Sequence, residues 1–273
     1  MKDKRILYVS SEVVPYLPEN DISSLSFEAP KMVNASGGQT RIFMPRFGNI
    51  NERRHQLHEV IRLSGMNLVI NDLDMPLIIK VASIPKERMQ VYFIDNEDYF
   101  KRKATLTDED GELFEDNDER AIFFAKGVIE TVKKLNWAPD IIHVNGWLAS
   151  LLPLYLRHYY GNEPLFKESK IVTSVYDRGF ENTLDEDMIK KILFDGIDDN
   201  AVEHLSSPTY NNLLKTAVDN SDGVIFGSEE VNQELIDYVE SKEIPTLEYK
   251  PREAFAQAYQ NFYLSDILNE EVE

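Results

Sequence analysis

The sequence of residues 138–160 is APDIIHVNGWLASLLPLYLRHYY, which predicts a buried strand that passes through a tight turn directly into an apolar helix. The apolar run within residues 141–144 is too short for a helix and is typical of a central parallel strand. Gly146 ends this strand, and apolar residues then recur every three or four positions, as in a helix that packs back against a sheet. In open parallel sheets, ligands bind at such strand ends.

The N-terminal region predicts a second part of the same sheet. Pro15 lacks the amide donor that a strand needs and therefore ends the first apolar run. Gly37 and Gly38 mark the end of a helical stripe. The predicted elements have the order of a βαβ unit of Rossmann type, with a strand at 5–11, a polar loop at 19–26, a helix at 27–35 and a strand at 40–45.

The rest of the chain continues this α/β pattern. Residues 48–100 predict a meander of short strands at 66–70, 77–82 and 90–94. The later predicted elements are strands at 169–175 and 223–226 and helices at 121–135, 186–194, 211–221, 229–240 and 251–268. We therefore predict an α/β fold with a Rossmann-like parallel sheet flanked by helices. No linker or repeat appears, so residues 1–273 are predicted to form one domain, with 241–273 as a C-terminal helical segment.

Composition excludes several classes of partner. The chain has 29 basic and 48 acidic residues and a formal charge of -19, which repels nucleic-acid phosphates and anionic lipid surfaces. Without cysteine it has neither disulfides nor thiolate chemistry. The N-terminal residues contain no apolar segment of signal-peptide length, which predicts a cytoplasmic location. The oligomeric state is left open.

The common signatures of phosphate binding and acyl transfer are missing from the sequence. Neither G-x-G-x-x-G nor G-x-x-x-x-G-K-[ST] is present, and residues 16–24, after the first strand, contain no glycine or lysine. No G-x-S-x-G turn is present either. The acidic residues of 107–120 are interpreted as a solvated loop before a helix, because their spacing does not fit a calcium loop. His55 and His58 are likewise assigned to a solvated face, so no metal site is predicted.

His143 lies late in the predicted central strand, and two interpretations stay open. A buried histidine that donates to the backbone is a common core residue. A histidine at the sheet end would instead face a ligand cleft.

Five segments resemble, in their order and spacing, the N-terminal catalytic domain of bacterial glycogen synthases and plant starch synthases. These segments are residues 6–16, 29–48, 91–124, 139–156 and 212–235, and the resemblance extends over residues 4–240. It implies the N-terminal half of a GT-B glycosyltransferase that extends α-1,4-glucan from ADP-glucose. It also implies that the C-terminal domain, which supplies cationic groups for the pyrophosphate in that family, is lacking.

The sequence departs from the family at its functional positions. The family's K-x-G-G-L phosphate loop falls on residues 18–22, where Glu19 and Asp21 would repel a phosphate. The family's H-D-W-H and T-x-H-N motifs fall on positions where their acidic, imidazole and amide side chains are replaced by Gly146, Ser174 and Val175. Loss of one preorganised donor typically costs about 3 to 4 kcal/mol of transition-state stabilisation. No confident catalytic residue is predicted.

The preferred hypothesis is a catalytically degenerate relative that acts as a regulatory or binding module for a glucan or a protein. It requires no cofactor; ADP-glucose would bind only if the family activity is retained. The residues predicted to line the ligand cleft are Glu12, His143, Asn145, Trp147, Asp177, Arg178 and Lys215. One alternative is an active glucosyltransferase completed by a separate donor-binding chain. A second is an unrelated enzyme that uses Asp177, Arg178 and Glu181 on the same scaffold.

Overall fold

A mixed ten-stranded sheet forms the centre of the structure, a computed structural model that describes residues 1–87 and 89–271. The strand order is β10-β9-β8-β7-β1-β2-β6-β5-β3, with β4 paired to β5. The strands are β1 Arg5–Ser10, β2 Gln39–Pro45, β3 His58–Glu59, β4 Met66–Ile70, β5 Leu73–Ile84, β6 Met89–Asp95, β7 Ile141–Asn145, β8 Lys170–Val175, β9 Gly223–Phe226 and β10 Thr246–Leu247.

The seven strands from β10 to β6 are parallel, which confirms the predicted Rossmann-like sheet. All residues of β7 and β9 are buried, as expected for strands that have helices on both faces. The helices are α1 Asp21–Ala35, α2 Glu52–His55, α3 Glu97–Phe100, α4 Asn117–Leu135, α5 Leu152–Leu154, α6 Met188–Phe194, α7 Tyr210–Asp219, α8 Gln233–Glu240 and α9 Phe255–Asn261.

The predicted meander forms the antiparallel edge of this sheet. β5 pairs with β4 on one side and with β6 on the other, and its far part also pairs with β3. β6 then joins the parallel strands through β2. The two-residue strands β3 and β10 were not predicted, because two residues are too few to show a period.

The predicted polar loop at 19–26 is wrong for most of its length, because α1 begins at Asp21. Asn20 caps this helix: its side chain accepts from the Ser23 amide, and the Ser23 side chain accepts from the Asn20 amide, both at 2.9 Å. This reciprocal pair fixes the first turn. Ser24 and Ser26 made the turn resemble a loop in the sequence.

The predicted helix after Gly146 is interrupted. A 3-10 turn at Trp147–Ala149 is followed by the short α5 and a π-helical turn at Tyr155–Tyr159. Pro153 lies in the first turn of α5, the part of a helix that tolerates proline. A regular helix can therefore begin near Pro153 but cannot continue through it from Trp147. Residues 147–156 are buried, which agrees with the predicted packing, whereas Arg157, His158 and Tyr159 are exposed.

The C-terminal segment folds back onto the sheet through α9 and a π-helical turn at Phe262–Ile267. Its Tyr263 hydroxyl lies 3.3 Å from the Tyr8 hydroxyl of β1. A Cβ atom at Gly223 of β9 would lie 2.4 Å from Ile267 Cδ1, so this segment packs closely on the strand. Val272 and Glu273 of the predicted segment lie outside the described residues. Within the described ranges, no helix is both long and apolar enough to cross a membrane.

Candidate functional site

The strand order reverses between β1 and β7, which places a switch point at their carboxyl ends. From β1 the chain builds outward to β2 on one side, whereas β7, β8 and β9 extend the sheet on the other side. Ser10 and Asn145 lie opposite each other at the end of the β1–β7 pair. Ligands bind outside such a point in open α/β sheets. The residues that follow both strands are therefore the candidates for function.

Gly146 allows the chain to turn directly after β7 at this switch point. Its φ of 84° lies in a region that glycine tolerates, and a Cβ atom built there would lie 1.9 Å from Ser11 Oγ. The Ser11 amide donates to the Asn145 carbonyl at 3.0 Å, which holds the two turns together. The backbone here has no room for any side chain without a shift of Ser11.

Ser174 and Val175, at the end of β8, belong to the core. Both are at most 1% exposed. Ser174 Oγ lies 2.6 Å from His143 Nε2, and the Tyr263 hydroxyl lies 2.7 Å from His143 Nδ1. His143 is itself fully buried between β8 and the C-terminal segment. Of the two interpretations of His143, the structure places it in the core and away from the cavities at the sheet end.

His143 is expected to stay neutral well into the acidic range. Burial lowers the pKa of His143 to about 3, below the ordinary value of 6.5. Because the folded state binds this proton less tightly than the unfolded state, this group makes the domain lose stability as pH falls below 6.5. Ring chemical shifts in an NMR titration should show neutral His143 at pH 4.5, with the other four histidines observed in the same spectra. A midpoint above pH 5 would contradict its buried position.

Residues 18–22, which align with the family's phosphate loop, comprise the N-cap Asn20, the two residues before it and the first two residues of α1. Besides capping the helix, Asn20 donates through Nδ2 to the Glu12 carboxylate at 2.5 Å. The Asn20 cap thus occupies a first-turn amide that could otherwise face an anion. Glu19 and Asp21 are exposed on either side of Asn20. The loop therefore presents two carboxylates at this position and no cation.

A small cavity of about 120 Å³ lies beside the switch point. We call it the inner cavity; its lining residues are Ser11, Glu12, Phe47, Thr105, Leu106, Trp147, Arg178 and Gly179. It brings together three predicted cleft residues, Glu12, Trp147 and Arg178. Trp147 is only 7% exposed and meets the Phe180 ring edge-on at 5.6 Å, so most of its surface packs in the protein. Arg178 is the cation of this cavity.

A larger groove adjoins the inner cavity at Gly179, which lines both. It consists of two cavities of about 550 and 470 Å³ that share Asn182. We call it the outer groove; its lining residues are Tyr176, Asp177, Gly179, Phe180, Glu181, Asn182, Thr209, Tyr210, Asn211, Asn232, Glu112, Leu113, Phe114, Glu115, Thr183, Leu184 and Asp185. The predicted residues Asp177 and Glu181 both lie here.

Asn145 and Lys215 do not line these cavities. Asn145 is buried and accepts a hydrogen bond from the Tyr176 hydroxyl at 2.7 Å. Lys215 lies on α7, where it pairs with Glu234 and lies 5.3 Å from the centre of the Tyr238 ring. Across residues 1–87 and 89–271, no three histidine or acidic side chains are grouped as metal ligands.

Several groove residues were not predicted from the sequence. Thr209 and Asn232 cap α7 and α8, and Asn211 lies in the first turn of α7. A polar residue that caps a helix after a parallel strand lies at the carboxyl edge of the sheet, so the capping pattern could have identified Thr209 and Asn232. Phe180 and Asn182 had no such signal.

Comparison with known proteins identifies the family of this chain. The sequence model of the family described as "Starch synthase catalytic domain" matches residues 5–244. The chain is 35% identical over 222 residues to a glycogen synthase of Chlorobium luteolum, a match that covers 81% of this chain and 45% of the relative. It is 38% identical over 190 residues to that of Chlorobium phaeobacteroides, covering 69% and 39%. The chain thus spans about half the length of these relatives.

A solved structure supports the fold independently. The catalytic domain of Starch Synthase IV from Arabidopsis thaliana, bound to ADP and acarbose, superposes with a TM-score of 0.69 at 15% identity. The match covers 90% of this chain and 51% of that one. It confirms the predicted likeness to part of a GT-B glycosyltransferase. By its sequence, this chain belongs to the family of starch synthase catalytic domains, as the resemblance predicted.

Proposed function

We propose that this domain binds an α-glucan in the outer groove and does not transfer glucose by itself. The observation that carries the proposal is the chemistry of that groove. The amide side chains of Asn182, Asn211 and Asn232 lie there beside carboxylates and aromatic rings, and Asn211 and Asn232 each also bond Glu234. Sugar rings present hydroxyl groups that pair with amides and carboxylates, and their apolar faces pack on aromatic rings. The groove contains few apolar aliphatic side chains, which suits a polar ligand.

The extent of the groove also favours an oligosaccharide. Its two cavities are connected through Asn182 and adjoin the inner cavity through Gly179. Gly179 packs on Tyr210, since a Cβ atom there would lie 2.3 Å from that ring. The connected cavities offer a continuous surface along residues 177–185 rather than one closed pocket.

The proposed loss of transfer rests on the family's functional positions. Gly146 has no space for a carboxylate side chain unless Ser11 moves, because Ser11 Oγ lies 1.9 Å from the position of a Cβ. Ser174 is engaged with His143 in the core, and Val175 is fully buried. At residues 18–22, the exposed carboxylates of Glu19 and Asp21 oppose a diphosphate. Stabilisation of a departing diphosphate requires fixed cationic or amide donors, and these positions do not supply them.

Calorimetric titration tests the binding. We expect maltoheptaose to bind, and ADP and ADP-glucose to give no heat of binding. Phe180 lines the groove and packs against Trp147 and Tyr210, so its ring is the one to remove. Phe180→Ala should weaken maltoheptaose binding about fivefold to tenfold, the equivalent of about 1 to 1.4 kcal/mol. The matched control is Phe194→Ala, because Phe194 is 57% exposed on α6 and does not line the groove.

Assay of elongation tests the absence of transfer. The chain, incubated with ADP-glucose and maltoheptaose, should not lengthen the oligosaccharide. Elongation by the chain alone, or ADP-glucose binding as tight as maltoheptaose binding, would overturn the proposal.

Elongation that appears only with an added donor-binding chain would instead establish the alternative of a two-chain glucosyltransferase. Absence of maltoheptaose binding would reject the glucan and leave a protein partner or an unrelated reaction at Asp177, Arg178 and Glu181. The cytoplasmic location stays a prediction.

A further inference from the structure

A second, separate cavity of about 220 Å³ lies between α1, the end of β9 and the C-terminal segment. The residues that matter for its chemistry are Asp21, Leu25, Phe226, Tyr249, Lys250 and Phe255. None of its lining residues also lines the inner cavity or the outer groove. It is therefore a separate candidate site, and we call it the arm cavity because residues 249–255 form one wall.

The arm cavity holds one cation and one carboxylate that do not pair with each other. Arg252 and Glu28 also line it, but they form an ion pair at 2.6 Å and so neutralise each other. Lys250 has no ion-pair partner among residues 1–87 and 89–271. Within the described residues, the exposed Asp21 carboxylate accepts one side-chain hydrogen bond, from Ser228 Oγ at 3.2 Å. Two opposite charges thus line one cavity without satisfying each other.

The remaining wall of the arm cavity is largely apolar. Phe226 and Phe255 are 5% and 8% exposed, and Leu25 packs partly buried against the same core. Tyr249 also lines the cavity, and its side chain is 36% exposed. A ligand that covers Tyr249 and these walls would remove apolar surface from water. The wall predicts an apolar or aromatic group on the ligand.

We propose that the arm cavity binds a free α-amino acid with an apolar side chain. Lys250 would receive the ligand carboxylate and Asp21 its ammonium group, while the side chain contacts the apolar wall. Charge-assisted hydrogen bonds of this kind are stronger than neutral ones. A nucleotide fits less well, because the Asp21 carboxylate, unpaired within the described residues, repels phosphates and Lys250 is one cation against several phosphate charges. The volume of the cavity is below the range of drug-sized ligands, about 300 to 1,000 Å³, and suits a small molecule.

Three related compounds test the two charges separately. L-phenylalanine has both charges, phenethylamine lacks the carboxylate and 3-phenylpropionate lacks the ammonium group. In calorimetric titrations of the full chain, we expect L-phenylalanine to bind at least tenfold more tightly than either of the others. Lys250→Gln should weaken L-phenylalanine binding about tenfold and leave phenethylamine binding unchanged. Asp21→Asn should weaken L-phenylalanine binding by a similar factor and leave 3-phenylpropionate binding unchanged.

Lys242→Gln provides the matched control, since Lys242 pairs with Asp219 and does not line the arm cavity. It should bind L-phenylalanine like the original chain, and circular dichroism should show that all variants are folded. The proposal is overturned if L-phenylalanine does not bind at millimolar concentration, or if a compound with one charge binds equally well. Maltoheptaose binding should be unaffected by either substitution, so the outcome is independent of the glucan proposal.

Discussion

Replacing Gly146 with alanine is expected to lower the free energy of unfolding by about 2 to 6 kcal/mol. The φ of 84° and ψ of 161° at Gly146 lie in a region that is essentially restricted to glycine, and a side chain there costs about 1 to 3 kcal/mol. The new Cβ would also lie 1.9 Å from Ser11 Oγ, and over-packing of a buried site typically costs about 1 to 3 kcal/mol more. Urea unfolding monitored by tryptophan fluorescence measures the sum.

Gly111→Ala separates the two causes. Gly111 has a φ of 86°, yet a Cβ there would have no atom within 4 Å. This variant therefore reports the cost of a side chain at a positive φ without a steric contact, and Gly146→Ala should be less stable than Gly111→Ala by at least about 1 kcal/mol. Equal stability of the two variants would show that Ser11 moves away without cost. The switch point would then accept a side chain, which would weaken the argument against a carboxylate at this position.

Much of the sheet could be predicted because buried parallel strands have a local signal. The four residues of β9 were predicted with the observed bounds, and β7 consists of the predicted apolar run at 141–144 and Asn145. The start of α1 was missed because polar capping residues resemble a loop when the reciprocal contact of Asn20 and Ser23 is not known. Local patterns thus located the strands well and the helix ends poorly.

The site could be predicted only in part, because contacts between distant segments decide which side chains remain accessible. Asp177 and Arg178 follow β8, and their position at the sheet edge was evident from the strand alone. His143 also lies near a strand end, but Tyr263 from the C-terminal segment covers it. Ser174 is engaged by the same histidine. No sequence period indicates that a segment more than one hundred residues away covers this strand.

The same limit applies to the acidic residues of 107–120, which were interpreted as a solvated loop. Asp108 agrees with this interpretation, since its carboxylate accepts the exposed amides of Asp110 and Glu112. Asp118 does not, because its side chain is fully buried against Lys191 of α6 at 2.7 Å. The sequence shows a run of charges but not which carboxylate has a partner on another helix. Solvent exposure therefore cannot be assigned to a charge run as a whole.

Replacing Lys191 with methionine is expected to destabilise the domain by about 3 to 5 kcal/mol at pH 7, because it leaves a buried carboxylate unpaired. Lys191 forms an ion pair with Asp118 at 2.7 Å and lies 3.1 Å from both Glu119 and Asp185. Burial raises the pKa of Asp118 to about 6 from 3.8, and the hydrogen bond from Lys191 opposes this rise. Without Lys191, the pKa of Asp118 should rise further.

The pH dependence gives this prediction a second readout. A carboxyl group whose pKa is raised in the folded state binds its proton more tightly there, so its contribution to stability falls as pH rises from about 4 to 6. In Lys191→Met this fall should extend above pH 6, so the variant should differ most from the original chain at pH 7 to 8 and less at pH 4. Urea unfolding across this range measures the difference.

Lys190→Met is the matched control, because Lys190 is 75% exposed and pairs only with the exposed Asp187 within the described residues. Such surface pairs contribute about 0 to 1 kcal/mol. Adding Asp118→Asn to Lys191→Met should restore part of the lost stability at pH 7, since an amide carries no charge to desolvate. If Lys191→Met were as stable as Lys190→Met, the buried carboxylate would have to be solvated or protonated in the original chain. Failure of Asp118→Asn to restore stability would assign the loss to the packing of Lys191 instead of the charge of Asp118.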